Sequence, residues 1–183
     1  KYLFFGRSDE EPITFTYEEM FSKIRQTANL FHHLGVDENN PVSFLLPNLP
    51  QTHFSLWGAE IAGVVNPINV LLEADHIVSI LNAAKTRVLV TLTPFPKTDI
   101  WEKVESLIDR VPSLTTILQI DMAQYLPWWQ KVLVQWTRAS CKVPTHIDLL
   151  DFDKAISTMP SDRFTFEREI DSDTIASLFH TGG

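Results

Sequence analysis

The stretch EADHIVSILNAAKTRVLVT, from Glu73 to Thr91, changes its hydrophobic period halfway along. In residues 73–85 apolar side chains recur at three- and four-residue steps, which predicts an amphipathic helix. Residues 87–91 are instead rich in β-branched side chains, which predicts a short strand. A helix that runs directly into a buried strand is typical of an α/β protein.

The alternation continues upstream of this stretch. Thr16 and Glu19 have the spacing of a capping box, so a helix is predicted to begin at Thr16. Gly35 follows the last apolar position of that helix and is suited to a left-handed C-terminal cap. The apolar residues 42–46, which lie between two prolines, then have the length of a strand.

The alternation also continues downstream. Asp99 is placed to begin another helix, Pro112 ends it, and residues 115–120 form the next predicted strand. A further helix is predicted to begin at Asn48 or Pro50, so helix and strand patterns alternate four times with short connections. We therefore expect a mostly parallel sheet flanked by helices, in a flavodoxin-like or doubly wound arrangement.

Composition narrows the classes of function. A formal net charge of −8 over 183 residues argues against nucleic acid as a general partner, which requires a basic face. The single cysteine, Cys141, excludes an internal disulfide framework and a cysteine-based zinc site, as expected in a reducing cytosol. No apolar run reaches the roughly 18 residues needed to cross a bilayer. We expect a cytoplasmic protein.

The composition changes between residues 121 and 146. No acidic residue occurs from Met122 to Ile147, and three of the five tryptophans lie in this part. If this part forms a helix, Trp129, Val132, Leu133 and Trp136 lie on one side, and the basic residues Lys131 and Arg138 lie on the opposite side. These six residues are candidates for contact with a membrane. Such a segment fits a membrane interface. Trp128 and Val134 fall off this stripe, and the alternative is that the stripe packs on the protein itself.

The charge balance in residues 148–173 is opposite to that of the preceding segment, since this part contains eight acidic residues and three basic ones. This pattern predicts a solvated surface stretch with one short helix near Asp151 to Ser157. A magnesium site built from Asp151 and Asp153 is a less favoured alternative, since one or two exposed carboxylates seldom suffice without phosphate ligands.

The last residues combine an apolar run with a glycine turn. Ile175 to Phe179 suits a buried strand, and His180-Thr-Gly-Gly183 follows it. Glycine allows successive backbone N–H groups to turn toward an anion, and a strand that delivers such a turn is where α/β folds bind nucleotides. Thr181, Gly182 and Gly183 are therefore candidate nucleotide-binding residues. The alternative is a flexible chain end.

Other catalytic signatures are absent from the sequence. It contains no His-Glu-x-x-His helix, no Gly-x-Ser-x-Gly elbow and no complete Gly-x-Gly-x-x-Gly fingerprint. The six histidines have no spacing that would make a zinc site. We therefore predict no catalytic residue and no metal ligand within these residues.

Three stretches, in this order, resemble the AMP-forming acyl-CoA synthetases of the adenylate-forming ligase superfamily. Phe15-Thr-Tyr-Glu-Glu-Met20 resembles the first core motif of the family, and Gly58-Ala-Glu-Ile-Ala-Gly-Val-Val-Asn-Pro-Ile-Asn69 resembles the second. His180-Thr-Gly-Gly183 resembles the start of the phosphate loop. The segment from Ile120 to Pro144 is similar to an insertion found in long-chain fatty acyl members.

The resemblance implies that residues 1–183 form the N-terminal part of an AMP-binding domain, with a Trp-rich basic insertion at about 121–146 and an end inside the phosphate loop. It implies a reaction in which ATP and a fatty acid give an acyl-adenylate, and coenzyme A then forms the thioester, with Mg²⁺ neutralising the phosphates. Contact with the inner face of a membrane, self-association and inactivity of these residues alone are further expectations. The alternative is a stand-alone α/β module that binds a partner or docks on a membrane without catalysis.

Overall fold

A computed structural model describes residues 2–4, 12–96 and 98–180, with side chains for all of these except 2–4. Two short strands, β1 (Tyr2–Phe4) and β2 (Ile13–Phe15), pair antiparallel. The remaining elements are α1 (Tyr17–His33), β3 (Val42–Phe44), α2 (Pro50–Ala62), β4 (Val65–Pro67), α3 (Ala74–Ala83), β5 (Val88–Leu92), α4 (Ile100–Leu107), β6 (Thr116–Ile120), α5 (Trp128–Thr137), β7 (Asp148–Asp151) and α6 (Phe152–Ser157).

The main sheet has five strands in the order β4-β3-β5-β6-β7, and every neighbouring pair is parallel. Counted from β3, this order is 2-1-3-4-5, which is the flavodoxin-like form of the doubly wound sheet. The prediction of a mostly parallel sheet flanked by helices is confirmed.

The helices cover both faces of this sheet. Helix α1 packs against α2 and α6 on one face, and α3 packs against α4 on the other. Strands β3, β5 and β6, which lie between these two layers, are buried along their whole length. This two-sided burial explains why their sequences are continuously apolar or β-branched rather than alternating.

Helix α1 begins and ends as its sequence predicts. The Thr16 hydroxyl oxygen accepts the Glu19 backbone N–H at 3.1 Å, and the Glu19 carboxylate accepts the Thr16 backbone N–H at 2.8 Å. At the other end Gly35 has a φ of +81°, and Val36 N–H donates to the Phe31 carbonyl. These bonds form a capping box and a Schellman motif, which satisfy backbone groups that the helix leaves unpaired.

Four short strands, β1, β2, β4 and β7, were not predicted from the sequence. Strand β7 lies within residues 148–173, where we expected a surface stretch with only one short helix; that helix is found as α6. Strand β7 contains only four residues, Asp-Leu-Leu-Asp, and lies at the edge of the sheet with both aspartates exposed. Two leucines between two aspartates do not show the alternation of apolar and polar residues that would predict a strand. The β1–β2 pair is similarly short.

The chain between α6 and residue 168 is held against α1 and α2 by buried side chains. The Asn29 amide nitrogen donates to the Pro160 and Arg163 carbonyls, both at 2.9 Å, and its oxygen accepts Thr165 N–H at 2.8 Å. Arg168 donates to the Glu60 carbonyl at 2.7 Å, at the end of α2. The path of this largely exposed acidic stretch is thus fixed in two ways. Asn29 of α1 bonds to its backbone, and its own Arg168 side chain caps the end of α2.

Two glycines, Gly58 and Gly63, allow neighbouring elements to approach closely. A Cβ atom at Gly58 would lie 2.8 Å from the Cβ and Cγ2 atoms of Thr27, in the contact between α1 and α2. A Cβ atom at Gly63 would lie 2.4 Å from the carbonyl oxygen of Asp37. Because the obstacle at Gly63 is backbone, it cannot be relieved by rotating a side chain.

We expect Gly63→Ala to lower the free energy of unfolding by about 1–3 kcal/mol, since the added methyl group must displace the Asp37 backbone. Urea unfolding monitored by circular dichroism would measure the shift in midpoint. Ser79→Ala, at an exposed position in α3, is the control and should stay within about 0.5 kcal/mol of the parent. An unchanged midpoint for Gly63→Ala would show that residues 37 and 63 are not packed as described.

Candidate functional site

The segment that precedes the predicted phosphate loop lies beside strand β4. Ser177 forms a parallel bridge with Val65. Val65 N–H donates to the Ala176 carbonyl at 3.0 Å, and Leu178 N–H donates to the Val65 carbonyl at 2.8 Å. Because this bridge is parallel, the chain leaves it at the carboxyl edge of the sheet. The candidate nucleotide-binding residues Thr181, Gly182 and Gly183 lie outside the described residues.

The prediction of a buried strand at residues 175–179 is wrong in extent and in burial. Only a single bridge residue, Ser177, pairs with the sheet, and the side chains of Ile175 and Phe179 are exposed. The segment lies outside β4, which is the last strand on that side of the sheet among the described residues. Apolar composition alone does not distinguish such an edge position from a central one.

A chain of polar side chains connects this segment to the interior of the sheet. His180 Nε2 lies 2.8 Å from the Asn66 side-chain oxygen. The Asn66 amide nitrogen donates to the Ser43 hydroxyl at 2.8 Å, and Ser43 lies 2.6 Å from the Thr86 hydroxyl. Asn66, Ser43 and Thr86 are fully buried, whereas His180 is exposed.

The direction of these hydrogen bonds fixes the tautomer of His180. An amide oxygen can only accept, so His180 Nε2 must carry the proton that it shares with Asn66. For a neutral imidazole, Nδ1 is then the unprotonated ring nitrogen. This arrangement was not predicted from the sequence, because Asn66-Pro67 looks like a turn and Ser43 is a single polar residue in an apolar run. Both residues belong to strands of the sheet.

A pocket of about 410 Å³ opens at the end of β4. Its wall is mainly apolar, with His180 contributing a ring, and it is lined by Pro67, Ile68, Asn69, Leu72, Ile80, Phe179 and His180. In open α/β sheets, ligands bind in crevices outside the carboxyl ends of the strands. The pocket therefore lies where this fold accommodates a ligand, next to the start of the predicted phosphate loop.

The second motif of the family resemblance spans α2 and β4. The helix ends at Ala62, Gly63 passes close to Asp37, and the chain enters β4 at Val65. The motif thus delivers Asn66 to the position where it contacts His180. The second and third motifs, which lie 114 residues apart at Asn66 and His180, meet in space.

The membrane-contact candidates lie on α5, which follows β6 and is fixed to the protein by Val134. Large apolar side chains of this helix are exposed, namely Trp128, Trp129, Val132, Leu133 and Trp136. Lys131 is half-buried. Arg138 is bonded to the Asp121 carboxylate, so its charge is already paired. None of the helices described in residues 12–96 and 98–180 is long and apolar enough to cross a bilayer.

The two aspartates considered for a magnesium site have other partners. Asp151 caps α6 by accepting Lys154 N–H at 2.9 Å. Asp153 accepts hydrogen bonds from Gln51 and Gln124, at 3.1 and 3.0 Å. Within the part of the chain that the structure describes, no group of three His, Cys, Asp or Glu side chains could hold a metal ion.

The surroundings of Cys141 and Tyr125 keep both side chains protonated, which makes them poor candidates for catalysis. Burial raises the pKa of the Cys141 thiol, although a hydrogen bond from Gln119 opposes this rise. Burial also raises the pKa of Tyr125, whose hydroxyl donates to Gln51 at 2.7 Å. Both groups are therefore protonated at neutral pH, and a protonated thiol is a poor nucleophile.

Two solved structures of CoA ligases are similar in fold to this chain. The anthranilate CoA ligase AuaEII, solved with anthranoyl-AMP, matches 96% of this chain with a TM-score of 0.70 at 19% identity. An acyl-CoA synthetase of Brucella canis matches 96% of the chain with a TM-score of 0.66 at 15% identity. The matched parts are 28% and 27% of those two chains.

Comparison of sequences gives the family. Marinolic acid–CoA ligase of Pseudoalteromonas sp. (strain SANK 73390) is 31% identical over 182 residues, which cover nearly the whole of this 183-residue chain and 24% of that protein. Crotonobetaine/carnitine–CoA ligase of Salmonella arizonae is 38% identical over 82 residues, 44% of this chain and 16% of that protein. The chain thus spans about a quarter or less of the length of these relatives. Its residues 3–183 match the model of the AMP-binding enzymes, and the chain belongs to that family.

Proposed function

We propose that this chain is part of a fatty acid:CoA ligase and that it positions the nucleotide loop of that enzyme. The observation that carries the proposal is the contact between His180 and Asn66, which holds the start of the predicted loop beside a pocket at the carboxyl edge of the sheet. Membership in the AMP-binding enzymes, over residues 3–183, supports the nucleotide part of the proposal. The names of the CoA ligase relatives support the thioester part.

The proposed reaction has two steps. The carboxylate of the acid attacks the α-phosphorus of ATP, and pyrophosphate leaves as the acyl-adenylate forms. The thiol of coenzyme A, having lost its proton, then attacks the acyl carbonyl carbon, and AMP leaves with the bonding electrons. Backbone N–H groups of Thr181, Gly182 and Gly183 would donate to phosphate oxygens, which stabilises the negative charge that develops on pyrophosphate.

Mg²⁺ would neutralise the phosphates of ATP in the first step. Because the described residues contain no group of three His, Cys, Asp or Glu side chains suited to a metal ion, we propose no protein ligand for it in this chain. Phosphate oxygens and water are common ligands of Mg²⁺ in ATP-dependent enzymes.

A fatty acid is the proposed acyl substrate. Residues 120–144 are similar to the insertion of long-chain members of the family, and α5 within this segment is unusually rich in exposed apolar side chains. A long-chain acid partitions into lipid, so we also propose that the enzyme works in the cytoplasm at the inner face of a membrane. Apolar residues of α1 and α2, among them the exposed Tyr17 and Phe21 of α1, line a separate groove of about 520 Å³, and we propose that these 183 residues alone self-associate through it.

We expect the complete protein that contains these residues to release pyrophosphate when it is supplied with ATP, Mg²⁺, coenzyme A and a fatty acid. The ratio kcat/KM for the acid should rise along a ladder from short to long chains, since each buried methylene group adds about 0.8 kcal/mol of binding. Coupled detection of pyrophosphate, with mass spectrometry of the acyl-CoA product, would measure both steps.

Residues 1–183 alone should give no acyl-CoA, because they match only 24% of the length of the marinolic acid relative. Product formation by these residues alone would contradict that expectation. If the complete protein releases no pyrophosphate with any acid, the ligase proposal fails and the alternative, an α/β module without catalysis, is favoured. If short acids are the better substrates, only the choice of a fatty acid fails.

Asn66→Ala should disturb both the fold and the nucleotide site. The substitution removes the hydrogen bonds to Ser43 and His180, and we expect a loss of about 1–3 kcal/mol in the free energy of unfolding. In the complete enzyme, KM for ATP should rise several-fold more than KM for coenzyme A, because the loop loses its fixed starting point.

Asn39→Ala is the matched control, since Asn39 is exposed and lies in the loop before β3, outside the pocket at the end of β4. Denaturant unfolding and steady-state kinetics on both variants would measure the two effects. An Asn66 variant with lowered stability but an unchanged KM for ATP would show that Asn66 supports the sheet without positioning the loop.

A further inference from the structure

Helix α5 presents a continuous apolar surface to solvent. At 3.6 residues per turn, its five exposed large side chains lie within an arc of about 140° around the helix axis. In order around this arc they are Trp128, Val132, Trp136, Trp129 and Leu133. Trp136 is 89% exposed and Trp128 is 80% exposed, which is unusual for tryptophan in a folded protein.

The opposite side of α5 attaches the helix to the protein. Val134 is only 8% exposed and lies about 170° from the centre of the apolar arc. The helix also packs against the 3₁₀ turn Met122–Tyr125. The bond between Arg138 and Asp121 holds the end of the helix at the base of this turn. The apolar arc is therefore directed outward by contacts on three sides.

Trp128 changes the interpretation of the sequence pattern. A stripe of Trp129, Val132, Leu133 and Trp136 leaves Trp128 to one side, whereas the exposed arc includes it. The only large apolar residue of α5 that is buried is Val134. The helix thus uses a single apolar side chain to pack on the described part of the protein and directs the others to solvent.

The charged residues of the segment 122–147 are all basic, although the whole chain carries a net charge of −8. Arg138 is paired with Asp121, so the remaining positive charges of this segment are Lys131, on α5 itself, and the exposed Lys142. By contrast, the apolar groove between α1 and α2 contains Glu60, and burial raises the pKa of this carboxyl group.

We propose that α5 anchors the protein on an anionic lipid surface, with the helix lying in the plane of the headgroups and its tryptophan-rich arc inserted. The inference rests on the proposed membrane location and names the surface responsible for it. Tryptophan favours the boundary between headgroups and acyl chains, and lysine beside it is attracted to anionic lipid. A ten-residue helix, about 15 Å long, can lie in this boundary but cannot cross it.

The test is flotation of the protein with vesicles of phosphatidylcholine alone or mixed with phosphatidylglycerol. We expect binding to the mixed vesicles, and we expect the double substitution Trp128→Ala/Trp136→Ala to weaken it about tenfold or more. Lys131→Glu should weaken binding to the mixed vesicles but not to phosphatidylcholine. Added salt should act in the same direction, because it screens the attraction between lysine and lipid.

Leu71→Ala is the matched control, because Leu71 is 81% exposed and lies in the loop before α3 rather than on α5. It should float like the parent, and the thermal unfolding of the tryptophan variant and of Leu71→Ala should be unchanged, since these three side chains are largely exposed. Flotation that survives the tryptophan substitutions would overturn the role of α5 and leave the membrane location intact.

Absence of flotation by the parent protein would overturn both the anchor and the membrane location. Sedimentation velocity without lipid tests whether a second copy of the chain, rather than lipid, occupies this surface. If the parent self-associates, the tryptophan variant does not, and neither floats, α5 is an interface between copies of the chain and the proposal is wrong. Flotation requires no acid, ATP or coenzyme A, so its outcome is independent of the ligase assay.

Discussion

The hydrogen bond between Asn66 and His180 is the interaction on which the arrangement of the site depends. Strand β4 is short and lies at one side of the sheet, so its backbone alone offers few bonds to the chain that returns beside it. Asn66 extends those bonds into the core through Ser43 and Thr86. Any displacement of residues 176–180 would break a chain of polar contacts whose inner members are fully buried. Such groups are costly to leave unpaired, which makes the position of the segment specific.

The parallel direction of all five strands gives this site its neighbours. Every strand ends at the same edge, so the pocket after β4 and the helix that follows β6 lie on one side of the molecule. The two strands are three positions apart in the sheet, which corresponds to about 14 Å. A protein docked through α5 would therefore hold its ligand-binding edge close to the lipid surface. The fold thus relates two features that the sequence places in separate segments.

The sequence predicts those parts of the fold that depend on local periodicity and capping. Helix α1 is defined by Thr16, Glu19 and Gly35 because each satisfies backbone groups within a few residues of itself. Strand β7 was missed because four residues with charged ends carry no periodic signal. The burial of residues 175–179 was overestimated because an apolar run has the same composition at the edge of a sheet as at its centre. Edge position is decided by long-range pairing, which the sequence does not display locally.

Only one part of the candidate site, the glycine turn after His180, could be predicted from the sequence. The glycine turn after His180 is a local signal, whereas the role of Asn66 depends on a contact across 114 residues. The two ends of the polar chain also differ physically. Ser43 and Thr86 are fixed within the sheet, whereas the exposed His180 could exchange its bond to Asn66 for one to water only at the cost of leaving the buried Asn66 oxygen unpaired. Two backbone bonds to Val65 remain if that exchange occurs, so the segment would stay paired with β4 while its last residue is released. The geometry thus combines backbone pairing to β4 with a final side-chain contact that is costly to break, and both hold the segment beside the pocket.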